Sequence, residues 1–398
     1  MVEKLQSKEF KAFITAHSDA SVHHLLLSKQ SLEGDDLKLA VQQIEGRQRI
    51  QNKLPSWYTN PDVIYPVHLS LEQCSSETTA SYKSELFSGA QLIDLTGGFG
   101  VDTAFLAKNF QKVFYVEQNK ELASIAKHNF NALGIANINV LCEDSISVLA
   151  KLNTNFDVIY IDPARRDEGG GKLVTIADCE PNVLELMSDF KQYSKSVLLK
   201  LSPMLDLTVA LNELPETTAV YVLSVNNECK ELLIHIDFMN TTNEVDVHCL
   251  NFTSKGNQTY TFNLPDEATT SIIYTKQLGR YIYEPNASIR KVGGFNTLAN
   301  KFNIDKLHPN SHLYTADSLV ENFPGRIFEV VETYGFDKKS QRNFRDKVKK
   351  ANLSIRNFPS SVAQLRKRLK LGDGGNDYVF ATTLANEKRI LIRSTKVE

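Results

Sequence analysis

The chain has 398 residues, is 42% hydrophobic and 23% charged, and carries a formal net charge of −2, which is enough for two or three domains with a core in each. No run reaches the roughly 18 apolar residues of a membrane span. Met1-Val2-Glu3-Lys4 lacks the charged-then-apolar pattern of a signal peptide, so the expected compartment is the cytoplasm, with no membrane partner.

Cys74, Cys142, Cys179, Cys229 and Cys249 are scattered, odd in number and never spaced Cys-x-x-Cys. That spacing argues against a disulfide framework and against a zinc site. Residues 1–55 read as helical, with Leu37, Val41 and Ile44 on one stripe after Gly34. His23-His24 is no metal pair, because adjacent helical residues do not face the same way. Leu54-Pro55-Ser56-Trp57 is expected to begin an extended connector. Glu72-Gln-Cys-Ser-Ser-Glu-Thr-Thr-Ala80 reads as a capped entry into a helix ending near Tyr82-Lys83. That helix either covers the sheet edge or serves as a flap beside a cofactor.

Residues 91–103, Gln-Leu-Ile-Asp-Leu-Thr-Gly-Gly-Phe-Gly-Val-Asp-Thr, join a short apolar strand to a helix through Gly97, Gly98 and Gly100. A glycine turn into a helix N-terminus lets a ligand approach bare backbone N–H groups. Lys112–Glu117 is a second apolar run, and Glu117 lies about 20 residues past the glycines, where a carboxylate meets a ribose hydroxyl. Ile138–Cys142 leads to Glu143-Asp144, with Asp144 expected near an adenine amino group, and Phe156–Ile161 ends at Asp162-Pro-Ala-Arg165-Arg166. Strand ends carrying Gly, Glu, Asp and Asp in turn point to the ligand edge of a parallel sheet. Asp94, inside the first strand, is awkward beside a pyrophosphate and suits a cationic amino acid moiety. Ala219–Val225 and Leu232–Phe238 stand too close for a parallel crossover and must form an antiparallel hairpin. Parallel strands closed by such a hairpin resemble a class I S-adenosylmethionine-dependent methyltransferase more than a dehydrogenase.

Between these runs lie a helix over Lys120–Leu133, stopped at Gly134, and the glycine-rich Asp167–Lys172, expected to be an exposed, mobile loop. A helix from Cys179-Glu180-Pro181 to Phe190, a fifth strand over Ser196–Leu201 and a helix opened by Pro203 follow. Glu244 to Leu264 reads as a β-hairpin turning at Ser254–Asn257. Tyr281–Lys291 runs from strand into helix and stops at Gly293-Gly294. Residues 325–398 contain a strand at Gly325–Val331, two helical stretches, and strands at Tyr378–Thr383 and Arg389–Ile392. Lys338 to Lys370 holds twelve Lys or Arg against one acid, Asp346, a local field that attracts polyanions.

With these residues in hand, the chain resembles the bacterial class I S-adenosylmethionine-dependent methyltransferases with a C-terminal THUMP-like domain. The resemblance rests on Glu72-Gln-Cys-Ser-Ser-Glu-Thr-Thr-Ala, Asp94-Leu-Thr-Gly-Gly-Phe-Gly-Val-Asp, Asp162-Pro-Ala-Arg-Arg, Glu228-Cys-Lys-Glu and Tyr283-Glu-Pro-Asn-Ala. It implies an α/β fold with a Rossmann-like sheet and terminal antiparallel hairpin, an N-terminal helical region, and C-terminal α+β domains. The expected segments are a helical region and connector at 1–85, a methyltransferase domain at 86–265, a ferredoxin-like domain at 272–318 and a THUMP-like domain at 325–398.

The resemblance also implies S-adenosyl-L-methionine as cofactor and tRNA or rRNA as partner. Asp94, Thr96, Gly97, Gly98, Gly100, Asp102, Glu117, Asp144 and Asp162 are the expected cofactor contacts. Asp162, Arg165 and Arg166 are the expected catalytic residues, and Arg356, Arg366, Lys367 and Arg368 the expected RNA contacts; no metal is expected. The aromatic that follows Asn/Asp-Pro-Pro in base-amino methyltransferases is replaced here by Arg165. Leu199-Lys-Leu-Ser-Pro203 offers no cysteine where carbon-5 uridine methyltransferases keep their nucleophile. Direct transfer is therefore expected. A small-molecule or protein methyltransferase, and a non-catalytic RNA-binding protein that keeps the cofactor fold, are the alternatives.

Overall fold

A computed structural model describes residues 1–27, 31–165, 175–240 and 244–397. The chain divides into two compact units, one of Met1–Thr218 with Leu233–Thr242, the other of Ala219–Leu232 with Asn243–Glu398.

In the first unit, β1 (Gly89–Asp94), β2 (Phe110–Val116), β3 (Ile138–Leu141), β4 (Phe156–Ile161) and β5 (Ser194–Leu201) are parallel, in the order β5-β4-β1-β2-β3. Helices Val101–Leu106, Lys120–Ala132, Ser145–Leu152 and Val183–Tyr193 lie between successive strands. β2 and β3 are laid down on one side of β1 and β4 on the other. The strand order therefore reverses between β1 and β4, the place where open α/β sheets bind ligands. β1, β2 and β4 end in residues buried on both faces, as strands covered by helices do.

The N-terminal helices share a core with this sheet: Trp57 meets Phe99 of the glycine turn edge-on at 4.8 Å. Pro55–Thr59 is a helix rather than the expected extended connector, with proline at the first turn, where its missing N–H is not required. Glu77–Leu86 is helical as the capped entry predicts, with Ser76 accepting from the Thr79 N–H.

In the second unit, β6 (Ala219–Val225) turns on Asn226 and Asn227, both at positive φ (51° and 65°), into β7 (Glu228–Asp237), whose residues from Leu233 on belong to the first unit. Asparagine tolerates that left-handed pair better than most residues. β8 (Asp246–Thr253) and β9 (Gly256–Asn263) form the hairpin expected near 244–264, and β8 pairs in parallel with β6. A second sheet contains β10 (Tyr281–Pro285), β11 (Asp305–Lys306), β12 (Tyr314–Ala316), β13 (Gly325–Gly335), β14 (Lys350–Arg356), β15 (Gly372–Thr383) and β16 (Arg389–Lys396). Its order is β11-β12-β10-β13-β16-β15-β14. β10 pairs antiparallel with β13, so residues on either side of position 325 share one sheet. β14 is a strand that the charge count conceals: Ala351, Leu353 and Ile355 alternate inside the basic stretch.

Candidate active site

A cleft of about 550 Å³ lies over the ends of β1, β2 and β4 in the first unit, lined by the glycine turn, Glu117, Asp144, Asp162 and Lys200. The turn is fixed from below. A Cβ on Gly97 would stand 2.2 Å from the Tyr115 ring, and one on Gly100 would stand 2.7 Å from the Phe130 ring. Gly98 and Gly100 also take positive φ (55° and 84°), which an L side chain resists. The Tyr115 hydroxyl donates to Gly98 O at 2.6 Å, holding the turn down on β2.

Each strand end contributes a carboxylate. Asp94, 1% exposed, accepts from Thr96 N and from the Thr103 hydroxyl. Burial pushes its pKa up to about 7 against those two hydrogen bonds. Glu117 accepts from Gly98 N at 3.0 Å and from Asn119 N at 2.7 Å. One bond on each oxygen leaves acceptor capacity on both. Asp144 caps helix Ser145–Leu152 by accepting from Ser147 N at 3.1 Å. Thr96 faces Asp162, accepting from its backbone N–H at 2.6 Å.

Beneath these groups lies an ionic network that the motif reading does not foresee. Asp102 Oδ2 accepts from Ser75 Oγ at 2.8 Å, Tyr160 OH at 2.7 Å and Lys200 Nζ at 3.4 Å, and Oδ1 stands 2.8 Å from Lys83 Nζ. Burial alone would raise the Asp102 pKa; the Lys83 and Lys200 ammonium groups overcome it and hold the carboxyl well below its usual range. Asp102 is thus turned to these partners rather than standing free for a ligand. Lys200 also reaches Asp162 Oδ2 at 2.6 Å. The Asp162 side chain keeps 36% of its surface exposed toward the cleft. Burial raises its pKa and Lys200 opposes that rise.

The expected residues Asp94, Thr96, Gly97, Gly98, Gly100, Asp102, Glu117, Asp144 and Asp162 therefore all line one cleft. Arg166 and the side chain of Arg165 lie outside the described residues, as does the glycine-rich 167–172. Lys83 and Lys200 are the residues missed. Lys200 left a trace as the one charge in Ser196–Leu201, whereas Lys83 reads as an ordinary surface residue of a helix.

Cys74 lines the cleft, but burial raises its thiol pKa and its Sγ donates to Leu71 O at 3.2 Å, the state of a packed thiol. Burial likewise raises the Cys229 pKa in the second unit.

The fit to a ligand follows from the lining. Among the described residues it carries nine carboxylate side chains and one ammonium, that of Lys200. Such a set suits a ligand with cationic groups and opposes a pyrophosphate. S-adenosylmethionine, with a sulfonium, an ammonium and a ribose, fits these residues. Among the described residues no group of three or more His, Cys, Asp or Glu could hold a metal ion. No helix there is long and apolar enough to cross a membrane.

In the second unit, the expected RNA contacts are only partly free. Arg356 Nη2 closes on Glu284 at 2.6 Å. Arg366 ties Ala351 O, Gly372 O and Asp373 together, pinning β14 to the start of β15. Arg368 donates to Gln341 at 2.8 Å and lies over the Phe336 ring. Lys367 is exposed. Of the twelve cations from Lys338 to Lys370, three close on carboxylates (Lys347, Arg356 and Arg366).

The strand order, the switch-point cleft and its glycine turn define a methyltransferase of the class I fold. The crystal structure of a candidate methyltransferase from Porphyromonas gingivalis W83 matches with a TM-score of 0.90 at 35% identity, covering 100% of this chain and 98% of that one. The chain belongs to the same family, methyltransferase-fold proteins carrying ferredoxin-like and THUMP-like domains. Family models match as a ferredoxin-like domain over residues 281–324, a THUMP domain-like segment over 325–396 and conserved hypothetical protein 95 over 77–175.

Two further structures match only part of the chain. An rRNA methylase from Streptococcus thermophilus gives a TM-score of 0.30 at 15% identity over 40% of this chain and 93% of that one. A candidate methyltransferase from Streptococcus mutans, in complex with SAH, gives 0.31 at 14% over 40% and 96%. No curated protein matches the chain.

Proposed function

We propose that this protein transfers a methyl group from S-adenosylmethionine to a base of tRNA or rRNA in the cytoplasm, by direct in-line displacement without a covalent cysteine intermediate. The observation that carries the reading is the Asp162–Lys200 pair at the edge of an acid-rich cleft. When bound, S-adenosylmethionine supplies an electrophilic methyl group on a sulfonium, and the chain supplies alignment and a destination for the acceptor's proton.

Glu117 offers its remaining acceptor positions to the ribose hydroxyls, and Asp144 stands for the adenine amino group. The backbone of Gly97–Gly100 leaves room for the amino acid end, whose positive charge favours an ionised Asp94. Asp162 accepts a hydrogen bond from the amino or ring N–H of the target base and so fixes its lone pair toward the methyl group. Lys200 keeps Asp162 ionised for that task. Arg165 and Arg166 follow Asp162 after Pro163 and Ala164, and there a guanidinium fork can hold the target's phosphate.

The RNA half of the reading is supported by the THUMP-like segment and by nine of its cations, among them Lys338, Lys339, Arg342, Lys349, Lys350 and Lys367, which close on no carboxylate among the described residues. The full chain, labelled S-adenosylmethionine and RNA from a strain lacking the gene test it, with nucleosides identified by mass spectrometry. One methylated base should appear with the wild type and not with Asp162→Ala. Cofactor binding with no label in RNA, and label in a small molecule or protein instead, would overturn it.

A further inference from the structure

Glu284, on β10, is 1% exposed and lies opposite Arg326 of β13 in the strand register. Arg326 Nε donates to Glu284 Oε2 at 2.8 Å, and Arg356, the last residue of β14, donates to Oε1 at 2.6 Å. One carboxylate is thus shared by two guanidinium groups whose side chains are 33% and 26% exposed. A third, Arg290 on helix Ala287–Val292, is half-buried and close enough for both arginines and Glu284 to act on its titration. Its side chain makes no hydrogen bond or ion pair among the described residues, and its Nε is buried without a partner, as is that of Arg356.

Three guanidinium charges against one carboxylate leave a surplus of two in a partly desolvated place. The surplus is felt nearby. His312, stacked on Phe295 at 3.7 Å, has its pKa lowered to about 4 by burial and by Lys306, Arg356 and Arg290. A packed protein ordinarily neutralises such charge or exposes it fully, because an unpaired buried charge is costly. A surplus retained on planar donor forks is the arrangement that takes up a tetrahedral oxyanion through paired N–H donors.

We propose that Arg290, Arg326 and Arg356 form a phosphate-binding site, with Glu284 positioning two of the forks and Arg290 left free for the ligand. If RNA is the substrate proposed above, the site holds one of its phosphates; its affinity for phosphate itself does not depend on that reading.

The test uses the full chain in low-salt, phosphate-free buffer, with calorimetry against inorganic phosphate and against a short single-stranded RNA with and without a 5′-phosphate. Wild type should bind phosphate saturably. Arg290→Gln should bind it at least about tenfold more weakly, the loss expected on removing a charged hydrogen-bond donor. The melting temperature of Arg290→Gln without phosphate should be equal to or above that of the wild type, since burial and the two neighbouring guanidinium groups outweigh the attraction of Glu284 for the charge removed. Arg290→Lys, which keeps the charge and loses the fork, should fall between.

Stronger binding of the 5′-phosphorylated RNA assigns the site to a terminal monoester, and equal binding assigns it to the backbone. Phosphate bound and RNA ignored would leave the site standing and remove the RNA reading. RNA and phosphate bound equally by wild type and Arg290→Gln would overturn the site alone. So would a wild type with no saturable phosphate binding, or an Arg290→Gln protein that melts lower with its phosphate affinity intact.

Discussion

Replacing Lys200 with methionine separates the charge of Asp162 from the rest of the cleft. Lys200 Nζ stands 2.6 Å from Asp162 Oδ2 and 3.4 Å from Asp102 Oδ2. At the shorter distance, two unit charges attract by about 6 kcal/mol at an effective dielectric of 20, much of it spent on lost hydration. The net contribution of a hydrogen bond to a charged partner is about 1.5–3 kcal/mol, equivalent to about one to two pH units. Burial already raises the Asp162 pKa and Lys200 opposes it, so Lys200→Met raises it further by about that amount. In the reaction proposed above, Asp162 is the strong acceptor for the target's N–H when ionised and a much weaker one when protonated. The acid limb of the pH–rate profile for methyl transfer should therefore move to higher pH by about one to two units. Asp102 keeps Lys83, Tyr160 and Ser75, so the protein should still fold. A ¹³C-carboxyl titration of Asp162 in the full chain reads the same displacement without any substrate. An Asp162 that titrates at the same pH in Lys200→Met and wild type would refute the reasoning.

The other predictions follow from the same cleft and from the basic segment. Glu117→Ala should weaken S-adenosylmethionine binding by about 10- to 150-fold in calorimetry, and an unchanged affinity would remove Glu117 from the ribose. Lys83→Met strips a fully buried partner from Asp102, and urea unfolding should report a loss of about 3–5 kcal/mol. Asp94 has its pKa raised from 3.8 to about 7 in the folded chain, so between those values the fold keeps a proton that the unfolded chain has released. Stability should accordingly fall as pH rises through that window and level off above it. In Asp94→Asn this component of the slope should vanish. Lys338, Lys339 and Arg342 changed together to alanine should flatten the salt dependence of RNA binding by about one to three units. Arg366→Ala should instead lower the melting temperature.

What was legible in the sequence is what repeats along the chain. Asp94, Glu117, Asp144 and Asp162 close four successive apolar runs, and spacing alone put them at one edge of the sheet, where they line one cleft. The glycine turn was legible for the same reason. Partnerships across the fold were not. Lys83 and Lys200 meet on Asp102 from distant segments, and Arg356 finds Glu284 from 72 residues away. A count of cations cannot distinguish Lys367, which is exposed, from Arg366, which fastens two strands. The basic count also hid β14, because alternation of Ala351, Leu353 and Ile355 is a weaker signal than a run of lysines.

The course of the chain between its two units limits how the protein can be divided. The first unit holds Met1–Thr218 and Leu233–Thr242, and the second holds Ala219–Leu232 and everything from Asn243 on. A single break after Thr218 hands Leu233–Thr242 to the wrong piece, and one after Thr242 carries off Ala219–Leu232. No single crossover between genes can therefore exchange one unit and leave both whole. Exchanging the unit that bears the THUMP-like segment for another, with both units left whole, takes more than one crossover.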